Sequence, residues 1–193
     1  MKVNSFFLDI ANTTIIDGVS VSDRIRLAGK QHLWSDREGS ALDTVVIHYA
    51  SARAINPRRA FDMYLIMKIF CDLGVSSHYI ITRMGKIFYL VPENKKAWHC
   101  GGSIMPEPDN RQGVNNFSIG IELIATEESG FTKKQYSSLG WLCKDMENRW
   151  QKSFRYIGHE DIAGERAVVR GLRNDYKTDP GNKFDWNTFK NSL

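Results

Sequence analysis

The run Thr44-Val45-Val46-Ile47-His48-Tyr49-Ala50 is short, β-branched and nearly continuous in apolar character. Such a segment fits a strand buried on both faces, at the centre of a sheet covered by helices. It places a histidine near its C-terminal end, and an imidazole taken out of water there needs a polar partner.

The surrounding pattern predicts the cover. After Asn56-Pro57, residues 58–73 carry Phe61, Leu65, Ile66, Ile69 and Leu73 at helical spacing, with Gly74 as a stop. Residues 78–83 and 86–91 flank Met84-Gly85 and read as a hairpin. Residues 117–125 alternate: Ile119, Ile121, Leu123 and Ala125 share one face, Gly120, Glu122 and Ile124 the other. Thr132 and Gln135 form a capping box ahead of a helix running to about Gln151, and a short helix begins near Asp185. The expected fold is α/β, a mixed central β-sheet flanked by helices.

Residues 1–40 differ from the rest, with Asp17-Gly18 as a plausible hairpin turn and a charged stretch from Ser35 to Ser40. They read as an N-terminal extension, and 41–193 as one catalytic domain. An apolar fraction of 42% with 11% aromatics supplies a core. The net charge of +4, with no run of five basic residues, argues against a nucleic-acid partner. Cys71, Cys100 and Cys143 are odd in number and widely spaced, which predicts reduced, buried thiols. Phe6-Phe7-Leu8 is stopped by Asp9, too short for a secretory signal, and nothing approaches a membrane span. The expectation is a monomer made in the cytoplasm, with no membrane partner.

A hydrolytic zinc site needs three nitrogen, sulfur or oxygen ligands and one open position. Of the five histidines His32, His48, His78, His99 and His159, each taken singly is more often a surface or core residue than a ligand. His48 closes the buried strand, His159 stands in Gly158-His159-Glu160-Asp161-Ile162, and Asp179 sits in the turn Lys177-Thr178-Asp179-Pro180-Gly181. Two histidines and a carboxylate on separate rigid elements would make a hydrolytic set, but their spacing alone is a weak signal.

Seven landmarks occur in order: Val46-Ile47-His48-Tyr49; Val75-Ser76-Ser77-His78-Tyr79-Ile80-Ile81; Leu90-Val91-Pro92-Glu93; Ala97-Trp98-His99-Cys100-Gly101; Asn116-Phe117-Ser118-Ile119-Gly120-Ile121-Glu122-Leu123; and the two segments around His159 and Asp179. From Thr44 to the C-terminus the chain resembles the type 2 N-acetylmuramoyl-L-alanine amidases, a family that includes phage lysins, cytosolic wall-recycling amidases and peptidoglycan-recognition proteins. The resemblance implies one zinc ion held by His48, His159 and Asp179. It implies Glu122 as the carboxylate that takes a proton from the attacking water, and Lys177 as the cation beside the oxyanion. It also implies Trp98 and His99 as substrate contacts, and peptidoglycan or muropeptides as the substrate. His78 reads as a structural strand histidine, and His32 lies outside the resemblance.

Two departures stand out. Ser77 occupies the position where lysins often carry a tyrosine, so proton transfer rests on Glu122. Residues 164–176 form an insertion with Arg166, Arg170 and Arg173, suited either to meeting stem-peptide carboxylates or to a tolerated surface loop. With the extension, the insertion favours a lysin-type role over recycling, leaving open whether the substrate is intact wall or a soluble anhydromuropeptide and whether a holin or a specialised secretion route would release the protein. The competing function is a non-catalytic peptidoglycan-binding module of the same fold.

Overall fold

Alternating apolar strands and amphipathic helices build three layers around one sheet. The computed structural model describes every residue except Glu38, which belongs to the charged stretch 35–40 and lies outside the described residues. In chain order the elements are β1 (Val3–Ser5), β2 (Ile15–Ile16), β3 (Val19–Ser20), α1 (Val21–Leu27), β4 (Trp34–Asp36), β5 (Thr44–Ala50), α2 (Met63–Leu73), β6 (Tyr79–Ile81), β7 (Ile87–Tyr89) and β8 (Lys95–Ala97). Then follow β9 (Ser118–Ile124), α3 (Lys133–Trp150), β10 (Arg155–Gly158), α4 (His159–Ala163), α5 (Glu165–Val169) and α6 (Trp186–Lys190).

The central sheet has the order β1-β7-β6-β9-β5-β10, parallel except for the antiparallel β6–β7 hairpin. It is the mixed sheet flanked by helices that the residue pattern predicts. Val45 and Ile47 of β5 and Ile119, Ile121 and Leu123 of β9 pack with Leu139, Leu142, Cys143 and Met146 of α3 and Phe189 of α6. On the opposite face, Ile80 and Ile124 meet Ile66, Met67 and Phe70 of α2, with α1 behind them. A third apolar group joins Val46 to Cys100, Met105, Val114, Ile157 and Ile162. The strands β5 and β9 are thus covered on both sides, as their composition requires.

Helix α2 begins later than its spacing predicts. The Asp62 carboxylate accepts the backbone N–H groups of Tyr64 and Leu65, so this cap, and not residue 58, sets the start. Pro57–Arg59 form a separate 3-10 turn, and Phe61 stays exposed. Helix α3 carries the expected capping box of Thr132 and Gln135. Asp17 and Gly18, both with positive φ, turn the β2–β3 hairpin. All three cysteines are free and buried.

The first forty residues enter the sheet and its support. β1 pairs in parallel with β7, and β4 pairs with β8. Arg37 reaches inward and donates to four backbone carbonyls: Glu93 at 3.1 Å, Asn115 at 3.1 Å, Asn116 at 2.9 Å and Ser118 at 2.8 Å. Burial lowers its pKa to about 10, so the guanidinium stays charged at neutral pH. It clamps the loop that leads into β9. Glu93 is a second anchor, accepting from Tyr79 at 2.6 Å, Arg149 at 2.6 and 2.8 Å and the Trp150 indole at 2.7 Å.

Removing Arg37 orphans those carbonyls. Urea denaturation of Arg37→Ala should show a loss of about 3 kcal/mol, whereas Arg58→Ala, at an exposed position, should change stability by less than about 0.5 kcal/mol. Equal effects would mean that the clamp contributes nothing specific.

Candidate active site

Three adjacent parallel strands end at one rim of the sheet, and each delivers a reactive group there. Such crevices at the carboxyl ends of parallel strands are where open α/β sheets bind ligands. β5 brings His48, and β9 brings Glu122, its direct register partner. β10 ends at Gly158, so His159 opens α4 beside them. Asp179 arrives from the turn after the insertion, tied down where the Glu160 N–H donates to its carbonyl at 2.8 Å. A Cβ on Gly158 would stand 2.9 Å from Pro180 Cδ, so glycine is what lets this turn close against the strand end.

His48 Nδ1 lies 3.1 Å from Asp179 Oδ2, and His159 Nδ1 lies 3.1 Å from both oxygens of the same carboxylate. The ligand atoms of these three residues fall within 4.8 Å of one another. Two imidazole nitrogens and a carboxylate are the donor types of a three-ligand metal site with an open position. Burial, aided by the neighbouring His159, lowers the His48 pKa to about 4, which leaves the ring neutral and able to bind a cation. Burial alone would raise the Asp179 pKa, but hydrogen bonds from His159 and His48 hold the carboxyl well below the ordinary range. His48, His99 and Cys100 form a second group within the same 4.8 Å limit.

Glu122 is in the opposite state. Burial, reinforced by the charge of Asp179, pushes its pKa far above the ordinary 4.5. Its Oε2 has no hydrogen-bond partner, one of two such buried side-chain atoms among the described residues. A raised, unpartnered carboxyl in a cleft is a feature of acid–base groups.

The cleft has a volume of about 550 Å³ and brings together all seven residues singled out from the sequence: His48, Glu122, His159, Asp179, Lys177, Trp98 and His99. Ile69, Leu73 and Val75 give it an apolar wall. Lys177 points its ammonium at Asp175, 3.1 Å away. Trp98 packs on the α1–α2 cluster, with the Lys30 ammonium 4.1 Å from its ring centroid. His99 has both nitrogens engaged: Nδ1 lies 3.0 Å from His48 Nε2 and 3.1 Å from Cys100 Sγ, and Nε2 lies 3.3 Å from Ser118 Oγ. His78 stays structural, its Nδ1 accepting the Gly120 N–H at 3.0 Å.

Residue-by-residue reading passes over Ser118 and Gly120, although a glycine inside a strand is itself a sign of close approach. A Cβ there would sit 2.6 Å from the His99 ring. The insertion is stitched to the preceding loop. Arg166 donates to Met105 O at 2.5 Å, and Arg173 donates to Cys100 O at 3.3 Å and Gly102 O at 3.4 Å. Only Arg173 of the three arginines lines the cleft, and its guanidinium is spent largely on these carbonyls.

A sequence profile of the family described as N-acetylmuramoyl-L-alanine amidase matches residues 38–182. The 1,6-anhydro-N-acetylmuramyl-L-alanine amidase AmpD of Citrobacter freundii is 39% identical over 119 residues, 61% of this chain and 57% of the relative. The chain thus spans little more than half the length of such curated relatives. The crystal structure of a selenomethionine AmpD derivative superposes with a TM-score of 0.62 at 29% identity, over 83% of this chain and 89% of the other. The amidase AmiD from E. coli, solved with anhydro-N-acetylmuramic acid-L-Ala-D-γ-Glu-L-Lys, gives 0.58 at 28% identity, over 80% and 59%.

Glu122 sets a pH test on the metal-free protein. Its folded pKa is raised, so it costs nothing below the unfolded value near 4.5 and costs increasingly as pH climbs above it. Glu122→Gln does not titrate there. In urea melts with chelator present, it should exceed wild type in stability by about 1–3 kcal/mol at pH 8, with the gap closing near pH 4. A gap independent of pH would overturn the assignment of a desolvated carboxyl.

Proposed function

The chain belongs to the N-acetylmuramoyl-L-alanine amidase family, and on that footing we propose that it is a zinc amidase. Its substrate is an anhydromuramyl peptide, in which it hydrolyses the amide between the muramic lactyl group and L-alanine. The observation that carries this reading is Glu122, a buried carboxyl with a free oxygen in the same cleft as three converging metal donors.

His48, His159 and Asp179 would hold the zinc. When bound, it supplies Lewis acidity, lowering the pKa of water from about 15.7 to about 7. Glu122 accepts a proton as the water oxygen bonds to the lactyl carbonyl carbon. That proton then passes to the nitrogen of L-alanine as the C–N bond breaks. A carboxyl whose pKa is lifted by burial can serve in both directions near neutral pH. Lys177 offsets the negative charge that grows on the carbonyl oxygen, while Asp175 holds its ammonium at the rim. The apolar wall of Ile69, Leu73 and Val75, with Trp98, offers a surface for the sugar and the alanine methyl.

The small anhydromuramyl substrate is preferred over intact wall because AmpD carries that specificity in its name and AmiD was solved with such a ligand. Zinc-loaded protein incubated with an anhydromuramyl tripeptide should release free tripeptide, detected by mass spectrometry. Chelation should stop the release and zinc should restore it. Glu122→Gln should lower kcat by roughly 10²–10⁴-fold while retaining zinc. No product where a control amidase succeeds would sink the proposal, and release only from purified sacculi would transfer the specificity to intact wall.

A further inference from the structure

His99 lines the cleft beside the metal donors, with Nδ1 facing His48 and Nε2 facing Ser118. We propose that it is a positioning residue, which fixes the tautomer and ring orientation of His48 for metal binding. The inference rests on the reading of His48, His159 and Asp179 as zinc ligands.

An imidazole that binds a metal through one nitrogen keeps a proton on the other, and that N–H needs an acceptor. His48 turns Nδ1 toward Asp179 Oδ2, 3.1 Å away, on the side where the His159 Nδ1 also converges. Once Nδ1 holds a metal instead of donating to Asp179, the single proton of the neutral ring belongs on Nε2, and His99 Nδ1 lies 3.0 Å from that atom. To accept there, His99 must carry its own proton on Nε2, which faces Ser118 Oγ at 3.3 Å. Ser118 can accept because its hydroxyl hydrogen is directed to Val114 O at 2.7 Å. A backbone carbonyl accepts only, so the Ser118 hydrogen directed to it leaves Oγ to accept from His99 Nε2. Cys100 Sγ, 3.1 Å from His99 Nδ1, shares that acceptor with His48. The relay is His48 Nε2–H to His99, His99 Nε2–H to Ser118, and Ser118 O–H to Val114.

The seat of His99 is built for this. The Asn115 carboxamide oxygen accepts the backbone N–H groups of His99 at 3.2 Å and Cys100 at 2.9 Å. Gly120 leaves space that any Cβ would deny to the ring. Ser118, Gly120 and Glu122 alternate on one face of β9, so one strand face supplies the relay's acceptor, the room for the imidazole and the acid–base carboxyl.

The test is zinc affinity, measured by chelator competition on the whole chain, because it reads the relay without turnover. His99→Leu removes the acceptor and should weaken zinc binding by about 10–100-fold. In His99→Asn an amide oxygen takes the place of Nδ1, and affinity should return close to wild type. Melts of the metal-free variants check folding; should His99→Leu fail to fold, Ser118→Ala reads the same relay and should also weaken zinc. Unchanged zinc affinity in His99→Leu with a raised KM would overturn the inference and make His99 a substrate contact. Two zinc equivalents in wild type falling to one in His99→Leu would overturn it in favour of a ligand role with His48 and Cys100. A wild-type chain that binds no zinc would instead defeat the metal reading itself.

Discussion

The parallel pairing of β5 with β9 puts His48 directly beside Glu122, and the rest of the site depends on that register. Both strands are buried on two faces, so both side chains lose water, with opposite results. The imidazole stays neutral and ready to bind a cation. The carboxyl is pushed toward its protonated form. A slip of one residue in either strand would turn its group into the α3 face, where Ile47 and Ile121 now pack. The hydrophobic alternation that fixes the fold therefore also fixes the chemistry.

Holding such a register requires support from outside the two strands. Arg37 and Glu93, one from each side of β5 in the sequence, each gather several hydrogen bonds, Arg37 at the loop that leads into β9 and Glu93 between β6 and α3. Neither lines the cleft. Charged groups at these positions are costly to desolvate, and multiple partners offset that cost. The segment before residue 41 thus shares a sheet and a clamp with the strands that carry the site.

Much of this was legible in the chain itself. The continuous β-branched run marks β5, alternation marks β9, and a capping box marks α3, because each obeys a local rule that tertiary contacts reinforce. The helix over residues 58–73 was legible only in part, since Asp62 competes for its first turn. The landmark around Leu90 to Glu93 proved to carry an anchor for α3. Arg37 was invisible: an arginine in a charged stretch looks solvated until the carbonyls that surround it are known, and those come from residues 93 to 118. The partners of His99 escaped for the same reason, because a tautomer relay is defined by distances between residues far apart in sequence.

A tension built into the cleft explains why its carboxyl is left with an unpaired oxygen. Satisfying Glu122 with a hydrogen-bond donor would stabilise the fold and lower the carboxyl pKa, yet it would also occupy the atom that the proposed mechanism uses to take and return a proton. Leaving Oε2 open costs stability that the apolar packing of β9 against α2 and α3 must offset. His48 faces the reverse demand, since a ring free to rotate would present the wrong nitrogen to a cation. Two neighbours on adjacent strands are thus treated oppositely, one left unpaired and one bonded at both ends, and strand alternation allows this because Ser118 and Gly120 can serve His48 through His99 without touching Glu122.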